Sequence, residues 1–234
     1  MGFMDDTGRF GPSGVESLFM DAGRKRKLPQ VGDRFANFVA ETTHGRLSLE
    51  NYADGHWVYL FSFPSTFAPV CSTEIVSLAA QIKAFNDLGV RLMGVTCSDV
   101  NRALDWIEDL EEVFNVRVPF PVVCDPQGEL VRELGMINPS ESARTAMRKS
   151  IILDPSRKVQ LMMDYPAYLG RCADEVLRCL EGLQDIDYTG MALPADWMPG
   201  DYMVAPGPMS DADMCSSFGD NWHKVRDYLV VARG

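Results

Sequence analysis

The sequence is short of basic residues, of histidine and of long apolar runs, and each shortage excludes something. Lysine and arginine total 22 against 33 aspartates and glutamates, a formal net charge of −11. A nucleic-acid backbone or an anionic membrane surface would be repelled over most of such a molecule. A small neutral substrate is easier to accommodate. No apolar run approaches the roughly 18 residues of a membrane helix. The opening residues MGFMDDTGRFG carry acids where a secretory signal has bases followed by an apolar core, so the expectation is a cytoplasmic protein in a reducing compartment. The histidines, His44, His56 and His223, are scattered and receive no role. The six cysteines, at 71, 97, 124, 172, 179 and 215, include no CxxC pair, so the pattern supports neither a zinc site nor a thioredoxin-type dithiol.

What is present is globular. Hydrophobic residues make up 46% and charged residues 24% of 234 positions, enough for one domain of roughly 150 to 200 residues with appendages. Residues 1–27 form an extension with one short apolar patch, VESLF. The basic run from Arg24 to Lys27 reads as solvated linker rather than as a targeting or polyanion patch. The 13 methionines are scattered, which favours core gap-filling over a binding surface.

From Pro29 the pattern tightens. VGDRFANFVAETTHGRLSLENY reads as an irregular strand-turn lead-in, and HWVYLFSF as a central strand rich in aromatic and β-branched residues. Ile75, Leu78, Ala79, Ile82 and Phe85 recur at helical spacing, with Leu88 and Gly89 closing that helix. VRLMGVTC is a second buried strand, followed by a helix from Asp99 whose apolar side is Val100, Ala103, Ile107, Leu110 and Phe114. FPVVCDP is a third strand, and RKSIILD and VQLMMDY make a hairpin about Pro155 and Ser156. Ala173, Val176, Leu177, Leu180 and Leu183 give a closing helix. The β-α-β-α alternation followed by a hairpin predicts an α/β fold, a mixed sheet between helices spanning residues 28–184. From Asp185 prolines and glycines break up the segment 185–234, which is too small to bury a substantial core alone and is expected to pack on the main domain or on another subunit.

The informative segment is Phe63-Pro64-Ser65-Thr66-Phe67-Ala68-Pro69-Val70-Cys71-Ser72-Thr73-Glu74. It is a strand-to-helix turn stiffened by prolines, with Cys71 near the first helical turn. A thiol there meets unpaired backbone N–H groups and the positive end of the helix dipole, both of which favour thiolate, the nucleophilic form. Position alone leaves a small buried structural cysteine equally open. Glu74 by itself reads as a first-turn acid complementing the dipole, and Arg148 as a strand arginine of the surface or of an ion pair.

FPSTFAPVCSTE after the strand VYLFS resembles the active-site segment of the peroxiredoxins, the AhpC/TSA family, whose signature is Pro-x-x-x-Thr/Ser-x-x-Cys with a glutamate three residues later. Those places hold Pro64, Ala68, Cys71 and Glu74. The likeness runs from about Pro29 into the tail, where LPADWMPGD resembles the 1-Cys subgroup. The resemblance implies a thioredoxin-like fold, a C-terminal extension that helps form a homodimer or a larger ring, and a thiol-dependent peroxidase needing no metal, haem or flavin. It implies that Cys71 attacks the peroxide and becomes a sulfenic acid, that Arg148 supports thiolate and peroxide, that Glu74 and a second arginine, Arg171, complete the cluster, and that the Val70-Cys71 backbone adds donors. An external thiol then reduces the enzyme.

Two positions depart from the family. Ala68 lacks the hydroxyl that bonds peroxide and thiolate; its loss is worth about 1–3 kcal/mol, or roughly ten- to a hundredfold in rate. Ser65 and Thr66 lie nearby but out of register. Phe63 stands where many 1-Cys members have histidine, which predicts a less polar pocket and a preference for bulkier organic hydroperoxides. The Val-Cys-Pro motif of typical 2-Cys members is absent, favouring a 1-Cys cycle, with Cys215 as the candidate resolving thiol if the tail crosses to a partner. Cys97 and Cys124 read as structural, and Cys172 and Cys179 lie on the closing helix. Trp197 and Trp222 read as anchors for the tail. Because of Ala68, a peroxide sensor or holdase-type interaction protein with weak turnover stands as the rival reading, ahead of a purely structural thioredoxin-like module.

Overall fold

The computed structural model describes residues 28–233; the VESLF patch and the Arg24–Lys27 run lie outside the described residues. The lead-in is a hairpin of β1 (Val39–Thr42) and β2 (Gly45–Ser48), followed by a short helix α1 (Leu49–Ala53) that the apolar spacing did not announce. Its local signal is a cap, since the Ser48 hydroxyl accepts from the Asn51 N–H. Next come β3 (Trp57–Ser62), α2 (Pro69–Ala80), α3 (Ile82–Asp87), β4 (Val90–Thr96), α4 (Val100–Phe114) and β5 (Val122–Cys124). A further short helix, α5 (Glu129–Glu133), precedes the hairpin of β6 (Arg148–Leu153) and β7 (Val159–Tyr165), and α6 (Ala173–Thr189) closes the unit.

The seven strands lie in the order β2-β1-β5-β4-β3-β6-β7. β3 runs parallel to β4 and antiparallel to β6, and β4 parallel to β5, so the mixed sheet expected from the alternation is present. All six residues of β3 are buried, as a strand covered on both faces requires. Alternation divides them: Trp57, Tyr59 and Phe61 join Phe63 and the residues of α2, α4 and α6, while Val58 and Leu60 face α1 and α5. Each large apolar side chain sealed this way contributes about 1.5–3 kcal/mol. Tyr59 and Phe61 stack at 5.3 Å, Phe61 and Phe63 lie 6.3 Å apart, and Phe63 meets Trp106 at 5.4 Å. This stack is the floor on which the Cys71 turn rests.

Three expectations need correction. The helix after the turn is broken at Gln81, whose φ of −100° and ψ of 9° end α2 and begin α3, so Ile82 and Phe85 belong to a second helix. In α4 the buried stripe is Ala103, Trp106 and Leu110, and Phe114 is 49% exposed. Trp106 turns that face inward because its ring packs on Phe63 and its Nε1 donates to Ser72 Oγ at 3.1 Å, while the left-handed Asn115 ends the helix beside Phe114. The change of composition at Asp185 falls inside α6, which runs on to Thr189.

The tail is more structured than its prolines suggested. β8 (Met203–Val204), α7 (Asp211–Phe218), β9 (Trp222–Arg226) and β10 (Leu229–Ala232) form a three-stranded sheet in the order β8-β10-β9 with a helix. Met191, Met203, Met214, Val230 and Ala232 are its small core, so methionine does fill gaps here. Trp197 is buried against α6 as expected of an anchor: a Cβ on Gly182 would meet its ring at 3.1 Å, and its carbonyl accepts from Arg178 Nη1 at 3.0 Å. Trp222 packs at the edge of the small core.

Candidate functional site

The cysteine turn is built from local rules. β3 ends at Ser62; Phe67 adopts a left-handed φ of 56° that reverses the chain, Ala68 is the extended N-cap, and Pro69 opens α2 with its φ already helical. Cys71 is the third helical residue and is fully buried. Among the described residues no backbone carbonyl accepts from the Val70 or Cys71 N–H; the first bond into α2 is Ser72 N–H to Ala68 O at 2.9 Å. Both free donors lie at the positive end of the helix, beside the sulfur.

One turn further along α2, Glu74 is buried and receives four hydrogen bonds. Arg148 Nη1 donates to one carboxylate oxygen at 2.5 Å, and Arg171 donates from its backbone N–H, Nε and Nη2 at 2.9, 2.8 and 2.9 Å. Arg148 Nε is fixed to the Ala167 carbonyl at 2.9 Å, and Arg171 Nη1 to the Lys149 carbonyl at 3.2 Å. The Arg171 guanidinium also lies over the Phe61 ring, 5.2 Å from its centroid. Burial pushes Arg171 down, but the neighbouring Tyr59, Glu74 and Cys71 together outweigh it, so its guanidinium is held above the ordinary arginine range. Gly170 brings the 167–171 segment close to α2: a Cβ there would sit 3.3 Å from the Val70 side chain, tighter than ordinary contact.

Two buried arginines thus share one carboxylate. Cys71 is among the groups whose charge bears on Arg171, after Tyr59 and Glu74. The sequence-selected residues Pro64, Val70, Cys71, Glu74, Arg148 and Arg171 are brought together. The Lys149 and Ala167 carbonyls hold the arginines, Gly170 lies against Val70, and none of the three was singled out; the sequence signal was the glycine directly before Arg171.

Other candidates fall elsewhere. Ala68 has a methyl in place of a hydroxyl, and its neighbours are committed: Ser65 Oγ donates to the Thr66 carbonyl, Thr66 Oγ1 accepts from Arg102 Nε, Ser72 Oγ donates to the Ala68 carbonyl and Thr73 Oγ1 to that of Val70. Phe63 is sealed between Phe61 and Trp106, so it sets core packing rather than the polarity of a pocket. Cys215 is exposed on α7, and no contact joins it to Cys71 among the described residues. Cys172 is exposed at the start of α6. Burial pushes the Cys97 thiol up, that of Cys124 to about 12 and that of Cys179 to about 11, in keeping with structural thiols.

With this geometry in view, the comparisons are specific. The AhpC/TSA family model matches residues 31–162. A peroxiredoxin of Nanoarchaeum equitans is 40% identical over 184 residues, 79% of this chain and 82% of that protein. The 1-Cys peroxiredoxin A of Oryza sativa subsp. japonica is 36% identical over 193 residues, 80% of this chain and 88% of its own. Peroxiredoxin 6 of Arenicola marina superposes with a TM-score of 0.82 at 31% identity, covering 87% of this chain and 97% of the other. A yeast mitochondrial 1-Cys peroxiredoxin, described as resolved through glutathione/thioredoxin systems, gives a TM-score of 0.83 at 29% identity, covering 88% of this chain and 100% of the other.

Proposed function

This chain belongs to the AhpC/TSA family, and from that premise we propose that Cys71 is its peroxide-reactive thiol, served by Arg148, Arg171 and Glu74. The protein is a peroxiredoxin, a thiol-dependent peroxidase with a thioredoxin-like fold. The observation that supports the assignment of residues is the buried cluster in which two guanidinium groups share Glu74 one helical turn from Cys71.

The Cys71 thiolate attacks the terminal oxygen of the hydroperoxide. The S–O bond forms as the O–O bond breaks, and the departing alkoxide or hydroxide takes a proton to leave as alcohol or water. Arg148 stabilises the thiolate beforehand and the developing oxyanion afterwards. The free N–H groups of Val70 and Cys71 add fixed dipoles at the same place, which cost no reorganisation during reaction. Glu74 acts through the arginines, holding both in register, and Pro64 and Pro69 stiffen the turn.

The sulfenic acid of Cys71 is then attacked by an external thiol, releasing water and leaving a mixed disulfide that a second thiol reduces. Such thiol systems serve the yeast relative. Cys215 takes the resolving role only in an assembly where the tail of one subunit covers the cysteine turn of another. We assign the tail from 185 onward to a homodimer contact, with larger rings as an extension, and the protein to a reducing cytosol, where its unpaired thiols persist. Among the described residues no helix is long and apolar enough to cross a membrane.

Steady-state turnover of hydrogen peroxide with dithiothreitol as reductant tests the assignment. Turnover abolished by Cys71→Ser and cut strongly by Arg148→Ala supports it. A single stoichiometric oxidation without turnover would instead favour a peroxide sensor or holdase.

A further inference from the structure

Beside the arginine cluster lies a cavity of about 120 Å³, lined in part by Pro64, Glu141, Thr145, Ala146, Met147 and Ala167. Three of these residues tie it to the reacting groups. Pro64 opens the cysteine turn, Met147 directly precedes Arg148, and the Ala167 carbonyl holds Arg148 Nε at 2.9 Å. The Met147 carbonyl is itself fixed by Ser62 Oγ at 2.7 Å, so this wall is anchored to the end of β3. Through Pro64, Met147 and Ala167 the space adjoins the cysteine turn and Arg148.

The lining has a chemical bias. Pro64, Ala146, Met147 and Ala167 offer apolar surface. Two polar loop atoms are used within the loop: Ser142 Oγ accepts from the Arg144 and Thr145 N–H groups at 3.2 and 3.1 Å, and Asn138 Oδ1 from the Ser140 N–H at 3.0 Å. Glu141 is exposed at the rim of a protein of net charge −11, and the exposed Arg144 is not among the lining residues. The volume is on the order of four water molecules, room for a tert-butyl or phenyl-sized group and not for an extended acyl chain.

We infer that this cavity seats the organic group of the substrate and selects compact, neutral alkyl or aryl hydroperoxides over carboxylate-bearing ones. The inference rests on the peroxidase reading and deepens it: Thr145 and Met147 set size, and Glu141 sets charge. The selection is made through differential binding of the part of the substrate that does not react.

The test compares kcat/KM of the full-length protein for hydrogen peroxide, cumene hydroperoxide and linoleic acid hydroperoxide with those of Thr145→Phe and Glu141→Lys. Thr145→Phe is expected to lower the ratio of the cumene hydroperoxide value to the hydrogen peroxide value by about tenfold or more. Glu141→Lys, on an exposed loop where folding is not at stake, is expected to raise the fatty-acid hydroperoxide value by about three- to tenfold at low salt, the gain fading as salt is added. The inference is overturned if Thr145→Phe changes all three peroxides alike, or if Glu141→Lys leaves the anionic peroxide unchanged. Absence of hydrogen peroxide turnover in the unmodified protein would instead remove the peroxidase reading beneath it.

Discussion

Arg171 and Glu74, far apart in sequence, meet through three hydrogen bonds, from the arginine backbone N–H, Nε and Nη2, with both side chains about 96–97% buried. The second turn of α2 is thereby locked to the segment just before α6, and the same carboxylate holds Arg148 from β6. On the proposed assignment, catalytic order and fold stability are joined in one ion cluster.

Removing Glu74 should expose that coupling. Glu74→Ala leaves two buried guanidinium groups without their anion, a change that typically costs about 3–5 kcal/mol. In a chain of this size that corresponds to a fall of roughly 6–20 °C in Tm, measured by thermal unfolding. The peroxide reaction should slow as well, since Arg148 loses its anchor. Unchanged Tm would mean that the cluster contributes no net stability.

Ala68→Thr should restore what the turn lacks. The position is an extended N-cap with no side-chain bond, so threonine supplies the turn with a hydroxyl three residues before Cys71. The rate of Cys71 oxidation should rise by about ten- to a hundredfold, as followed by stopped-flow fluorescence. No rise in rate would show that another donor already serves, although every hydroxyl of the turn is committed elsewhere.

Cys124, buried, and Cys179, half-buried, should be inert near neutral pH. A raised thiol leaves little thiolate below its midpoint: at pH 8, Cys179, raised to about 11, and Cys124, raised to about 12, each carry roughly 0.1% or less of the nucleophilic form. Among the thiols other than Cys71, iodoacetamide labelling followed by mass spectrometry should modify the exposed Cys172 and Cys215 first. Labelling of Cys179 and Cys124 should increase as the pH approaches those midpoints. Rapid labelling of Cys124 at pH 7 in the folded protein would contradict this.

Gly182→Leu should loosen the tail without touching the cysteine turn. Replacing glycine in a helix normally gains up to about 1 kcal/mol, but here a side chain would strike Leu193 and the Trp197 ring, and overpacking typically costs about 1–3 kcal/mol. Limited proteolysis should cleave earlier between residues 190 and 202, while the rate of Cys71 oxidation stays near that of the parent. Protection equal to the parent's would mean that Trp197 does not anchor the tail.

Much of this was legible because the signals were local. The aromatic β3, the hairpin about Pro155 and the Pro64-to-Glu74 turn each declare themselves by residue type and spacing. The elements that escaped are those that tertiary packing decides. Trp106, rather than Phe114, faces inward because Phe63 and Ser72 receive it, and the break at Gln81 has no glycine or proline to announce it. The short helix after Ser48 rests on one cap. At the site, the pairing of Glu74 with Arg148 and Arg171 came from family resemblance, since periodicity carries no information about contacts so distant along the chain. The small core around Met191 and Met203 was hidden because its residues are dispersed among the prolines of the tail.

The most direct test of the account is a rapid-quench reaction of fully reduced protein with substoichiometric hydrogen peroxide, mapping the oxidised cysteine by mass spectrometry beside a Cys71→Ser control. The account predicts fast sulfenic acid formation confined to Cys71 and absent from the control. Oxidation no faster than that of a free thiol, or oxidation first at another cysteine, would contradict it.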